Sequence, residues 1–220
     1  MNIKLLTIAI IATCVCNGAA QNLSANEIIN NSIKYHDPSG QWNSFKQTLV
    51  FKSERPNGPD RDNSVEIDNT RGYFKNTEEG NNMGVLMDSC FQVPAGKTCD
   101  NAKRMRNYYL YLWGLPMKLQ DNGTQIDEKY WEEELDGNTY YVVRVPYDQD
   151  IWFFYIDKQT FAMRAYKFYK DEPAKKGEII YLDEEVAIRD MRIPKKRKWI
   201  TTPDGRLLGT DILVSAKSLN

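Results

Sequence analysis

Few residues in this chain have the type and spacing to carry out a reaction. There is one histidine, His36, and no Gly-x-Ser-x-Gly elbow to supply it with a nucleophile, so His36 beside Asp37 reads as a helix-end residue and not a general base. Two acidic runs, Glu132-Glu133-Glu134 and Asp183-Glu184-Glu185, are the candidates for paired hydrolytic carboxylates or a calcium site. Successive strand positions send side chains to opposite faces, so adjacent acids diverge and read as solvated. The densest positive run is Pro194-Lys195-Lys196-Arg197-Lys198. Such a run suits phospholipid head groups, at about 1 kcal/mol per basic residue near an anionic surface, but it reads more readily as a solvated strand edge.

Cys90 and Cys99 are the remaining reactive pair once Cys14 and Cys16 are assigned to an N-terminal export signal. In an oxidising compartment an even pair reads as a disulfide, and closing this short loop around Pro94-Ala95-Gly96 contributes roughly 2.5–3 kcal/mol in the chain-entropy picture. A redox pair favours two-residue spacing, and zinc needs more soft ligands than one histidine offers, so neither a metal nor a cofactor is expected.

Apolar chemistry is what remains. Trp113, Tyr130, Trp131, Trp152, Phe154 and Tyr166 could line a cavity for an apolar ligand, and could equally fill a solid core.

The export signal rests on Lys4, the apolar run Leu5 to Val15, and the small residues Gly18 and Ala20 before Gln21. That run is too short for a stable membrane anchor, so residues 1–20 read as a cleaved signal and 21–220 as one exported domain, periplasmic or secreted. A lipid anchor at Cys14 is the poorer reading, because Ile11-Ala12-Thr13-Cys14 departs from a lipobox at Thr13. The full chain carries 29 Lys plus Arg against 30 Asp plus Glu, and loss of Lys4 with the signal leaves a net charge of −2. Such a balance provides no field for nucleic acid. With 41% hydrophobic and 27% charged residues the composition excludes an integral membrane protein, a fibre and a largely disordered chain.

The elements that must position these residues follow from periodicity. Ser24 as N-cap with Glu27 three residues on, then Ile28, Ile29 and Ile33, predict a first helix ended by Asp37-Pro38-Ser39-Gly40. Phe45, Leu49 and Phe51 predict a strand within 42–52, the stretch 56–63 a turn, and Val65, Ile67 and Tyr73-Phe74 a following strand or hairpin. Asp100 as cap and the stripe Met105, Tyr108, Tyr109 and Leu112 predict a second helix over 101–113, stopped by Gly114 and Pro116. Strands are predicted at 128–135, 139–147, 151–157, 160–170, 177–188, 191–201 and 206–214, joined by short turns as an antiparallel meander.

Strand 151–157 is apolar on both faces, with Trp152, Phe154 and Ile156 opposed to Ile151, Phe153 and Tyr155. Two helices cannot cover both sides of so large a sheet. The expectation is therefore an α+β fold: a half-open, strongly curved antiparallel β-barrel with an N-terminal helix and a second helix covering the concave side.

The blocks Tyr111 to Leu119, Ile151 to Thr160, Gly177 to Ile180, Ile193-Pro194, Pro203-Asp204-Gly205 and Gly209-Thr210-Asp211 resemble a family of exported Bacteroidota proteins of unknown function, over about residues 24–216. That family in turn resembles lipoprotein carriers of the LolA type, most clearly at the turn Tyr155 to Thr160. The resemblance implies a half-open barrel around helices, with an apolar cavity that in the carriers holds acyl chains. It does not extend to transfer, because the carriers' acceptor-contacting features have no counterpart placed on this sequence. The expected function is a non-enzymatic, monomeric binding protein for a lipid, acyl chain or other apolar ligand, with transient contact to a membrane surface or an envelope protein. The alternatives are a hydrolase using carboxylates and a protein-binding module with a filled core.

Overall fold

The computed structural model describes residues 23–219; the expected signal, Cys14 included, lies outside them. Helix α1 (Ala25–His36) opens on the capping box that its sequence specifies. Ser24 Oγ accepts the Glu27 amide at 3.2 Å, and the Glu27 carboxylate accepts the Ser24 amide at 2.7 Å. Its face Ile28, Ile29 and Ile33 is buried.

Twelve strands form one sheet. They are β1 (Lys46–Glu54), β2 (Arg61–Asp68), β3 (Tyr73–Thr77), β4 (Met83–Leu86), β5 (Ser89–Gln92), β6 (Tyr130–Leu135), β7 (Asn138–Pro146), β8 (Ile151–Asp157), β9 (Met163–Asp171), β10 (Lys176–Ile188), β11 (Met191–Thr201) and β12 (Leu207–Ser218). Every pairing is antiparallel, and β1 lies beside β12, so the edges of the sheet are β5 and β6. The chain passes between those edges through α2 (Cys99–Gly114) and a 3-10 turn at Met117–Gln120. Register shifts at Val50/Phe51, Tyr155/Ile156, Lys176/Gly177 and Trp199/Ile200 insert extra residues on one strand, which bends and twists the sheet. The result is the expected half-open, curved barrel, with α1 packed on β7, β8 and β11 and α2 on β3, β4 and β5.

Several expectations are corrected. The cap of α2 is Thr98, whose side chain accepts the Asn101 amide at 3.4 Å, and not Asp100. Strands β4 and β5, four residues each, were not foreseen. The run 194–198 lies on β11, between β10 and β12, so it is not an edge. Lys195 and Lys196 pair with Glu184, while Arg197 is 1% exposed, in the core.

The two-sided strand β8 is covered in two ways. Trp152, Phe154 and Ile156 join the main core under the helices. Phe153 and Tyr155, on the other side, form a small cluster with Val142, Ala165 and Tyr169. Among the described residues neither a helix nor a second sheet covers that cluster; Lys167 spans it, with Nζ 5.2–5.5 Å from the rings of Phe153, Tyr155 and Tyr169.

Candidate functional site

Four of the aromatic residues singled out above belong to the main core: Trp113 on α2, Trp152 and Phe154 on β8, and Tyr166 on β9. Trp113, Trp152, Phe154 and Tyr166 are at most 9% exposed, and their neighbours are other rings: Trp113 lies 4.4 Å from Phe51, and Trp152 lies 5.6 Å from Tyr166 and 5.0 Å from Phe168. Tyr130 packs at the margin of the same core, against Tyr141 at 5.4 Å. Trp131 is not among them. Strand alternation turns it to the opposite face of the sheet, where it is 38% exposed and contacts Phe153. The buried rings pack against one another and, at Trp113, against the Arg197 guanidinium.

One open groove, of about 460 Å³, lies at the rim formed by the start of β2, the end of β3 and the start of β4, beside α2; a hollow of about 510 Å³ lies between α1 and the segment 119–126. The groove falls within the usual size range of ligand pockets. Its apolar lining is Met83, Met105, Tyr108 and Tyr109. A smaller hollow, of about 150 Å³, continues past Arg61 and Tyr108 toward Trp199 and Asp211.

The adjacent tyrosines of α2 are divided by helical geometry, because successive residues point about 100° apart. Tyr109 faces inward, tilted against Phe51 and Phe74. Its hydroxyl accepts Asn63 Nδ2 at 2.7 Å, and the same amide group donates to Asn76 Oδ1 at 2.6 Å. Burial pushes the Tyr109 phenol up to about 12, so at neutral pH it is an uncharged wall. Tyr108 faces outward and stacks on Trp199 at 6.2 Å. Trp199 Nε1 donates to Asp211 Oδ2 at 2.9 Å and Ser53 Oγ donates to Asp211 Oδ1 at 2.6 Å, which ties β1, β11 and β12 together behind Tyr108.

The groove's carboxylate, Glu78, is engaged by Arg61, with Oε1 3.5 Å from Nε. The acidic runs do not converge on it. Glu132 pairs with Lys158 on one face of β6, and Glu133 accepts Tyr155 Oη at 2.6 Å on the other. His36 is fully buried and uses both ring nitrogens: Nε2 accepts the Met163 amide at 2.9 Å, which leaves Nδ1–H to donate to the Arg192 carbonyl at 2.6 Å. It staples α1 to β9 and β11. Cys90 and Cys99 are disulfide-bonded, joining β5 to the start of α2.

The stripe Met105, Tyr108 and Tyr109 was legible in the sequence as a helix face, but not as a site. Arg61, Met83 and Trp199 carried no local signal, because only the curvature of the sheet brings their rim beside α2.

A curved, half-open antiparallel sheet wrapped around a helix-covered core defines a LolA-like scaffold. Residues 4–216 match the family of unknown function DUF6503, and the chain belongs to that family. No match of significance emerges among curated protein sequences. Among solved structures the chain is similar to a LolA superfamily protein of Nitrosomonas europaea, with a TM-score of 0.53 at 11% identity over 90% of this chain and 94% of that one. A DUF1329 family protein of Desulfovibrio piger gives a TM-score of 0.55 at 10% identity, over 88% and 92%. A Vibrio parahaemolyticus domain named for outer membrane lipoprotein sorting gives 0.50 at 10%, over 88% and 93%. At these identities the likeness is one of fold. The Tyr155 to Thr160 turn that suggested it is an Asx turn, in which Asp157 Oδ1 accepts the Gln159 amide, the Thr160 amide and the Thr160 hydroxyl.

Proposed function

We propose that this protein is an exported, non-enzymatic, monomeric binding protein that holds a lipid, acyl chain or other apolar ligand in the envelope, at the rim groove beside α2. The observation that carries the reading is the groove itself, about 460 Å³ with methionine and tyrosine walls. Methionine is unbranched and polarisable, so it conforms to flexible chains, and each methylene removed from water contributes about 0.8 kcal/mol before entropic costs. The solved relatives support the reading through their names: one is a LolA superfamily protein and another is named for lipoprotein sorting. Relative to the sequence-based expectation, the site moves from the six aromatic residues to Met83, Met105, Tyr108 and Tyr109.

The test is uptake of a fluorescent fatty acid by the exported chain, compared with a Met105→Glu variant. Met105 is half-buried at the groove, so a carboxylate there is tolerated by the fold and hostile to an alkyl chain. Uptake by the native chain that falls at least tenfold in the variant supports the proposal. Native protein that takes up no fatty acid, and that is recovered from its envelope free of any extractable lipid, defeats it.

A further inference from the structure

The proposed function leaves open which end of a ligand the groove selects. The polar part of its lining bears on that. Besides the methionines and tyrosines, the groove is lined by Arg61, Lys97 and Arg104, against the single carboxylate of Glu78. Arg61 is the cation that Glu78 neutralises, and even there Nε has no hydrogen-bond partner although that atom is buried. Lys97 and Arg104 are exposed, and neither makes an ion pair with any described residue. Their carriers are separate elements, the loop after β5 and the second turn of α2, and the bond between Cys90 and Cys99 fixes that loop to the helix. The groove therefore carries a surplus of positive charge in a chain whose total is negative.

Fixed cations beside an apolar wall recognise an anion attached to an apolar body, since the head gains charge-assisted hydrogen bonds while the tail leaves water. We infer that the groove selects anionic amphiphiles, molecules with a carboxylate or phosphate head on an alkyl tail, with Lys97 and Arg104 clamping the head and Met83, Met105 and Tyr109 holding the tail. This rests on the apolar-ligand reading above and adds the charge of the head. A neutral lipid of the same length would leave the cations unanswered, and a small anion without a tail would forfeit the apolar wall.

The experiment compares dansyl-undecanoic acid with its methyl ester, which share tail and fluorophore and differ in head charge. Titrations use the native exported chain and the double variant Lys97→Gln/Arg104→Gln. Both positions are exposed and form no ion pair among the described residues, so the variant keeps its fold, and an unchanged thermal midpoint verifies this. The acid is expected to bind about tenfold more tightly than the ester, a gap that narrows to within about twofold in the double variant and in high salt. Excess inorganic phosphate or acetate is expected to leave the bound acid in place. Equal affinity of acid and ester for the native chain overturns the head-group clamp while the apolar-ligand reading stands. Displacement of the acid by inorganic phosphate or acetate also overturns it, since the groove would then be a simple anion site. Failure of both probes to bind removes the apolar-ligand reading and this inference together.

Discussion

The guanidinium of Arg197 lies 3.3 Å from the centroid of the Trp113 ring, inside the core beside the last turn of α2. Nη2 donates to the Leu112 carbonyl at 3.2 Å and Nη1 to the Pro194 carbonyl at 2.8 Å. The Leu112 carbonyl is one of the acceptors that the end of a helix leaves open, so Arg197 pins the C-terminal end of α2 to β11.

Arg197→Met fills the space but abandons two hydrogen bonds and the cation–ring contact, and is expected to cost about 2 kcal/mol. Arg197→Lys is expected to do no better, because an ammonium has neither the flat face for Trp113 nor the fork for two carbonyls. Urea unfolding followed by tryptophan fluorescence measures both. Midpoints equal to that of the native chain would mean that Arg197 is merely adjacent to Trp113.

The His36 staple makes stability sensitive to acid. Burial holds the imidazole below its ordinary 6.5, partly offset by the hydrogen bond to the Arg192 carbonyl. The unfolded chain thus binds a proton at a pH where the folded one does not. The contribution is complete above about pH 6.5 and declines as pH falls toward the depressed folded value, at most about 1.4 kcal/mol per pH unit. Thermal midpoints between pH 5 and 7.5 are expected to slope upward with pH, and His36→Gln to lose that part of the slope. Identical slopes in the two proteins would assign the acid sensitivity to other groups.

Removing the Cys90–Cys99 bond with a Cys90→Ser/Cys99→Ser variant is expected to cost about 2.5–3 kcal/mol, the closure entropy of a loop of this length. The comparison of midpoints should be made without reductant. A loss below about 1 kcal/mol would show that α2 and β5 are already held by packing.

Met87 stands in the β4–β5 turn at φ 53 and is 67% exposed. A left-handed backbone suits asparagine better than methionine, and little packing is forfeited at this exposure. Met87→Asn is therefore expected to raise stability by about 1 kcal/mol. A fall in the urea midpoint would reveal packing around Met87 that its exposure conceals.

How much of this was legible varies by element. Strands β6 to β12 were predicted within a few residues at most ends, because alternation runs through them and Asp-Gly-Asn and Pro-Asp-Gly turns separate them. Strands β4 and β5 are too short to display alternation, and Gly84 removes a side chain where Phe91 lies across the strand. Arg197 was hidden by its neighbours: within four cations it read as solvated, although its even spacing from Ile193 and Trp199 places it on their face of β11.

By itself the sequence determined what short-range physics can write: the Ser24–Glu27 cap, the stripe of α2, the antiparallel meander and the one cysteine pair. These depend on hydrogen bonds and side-chain periods confined to a few residues. Which face of β8 the helices cover, why Tyr109 turns inward while Tyr108 meets Trp199, and where open room survives were decided only by the tertiary structure. The physical reason is that α2 must bridge two unpaired edges of a bent sheet. The rim beside it draws Arg61, Met83 and Met105 from distant parts of the chain, and no local pattern encodes such a meeting.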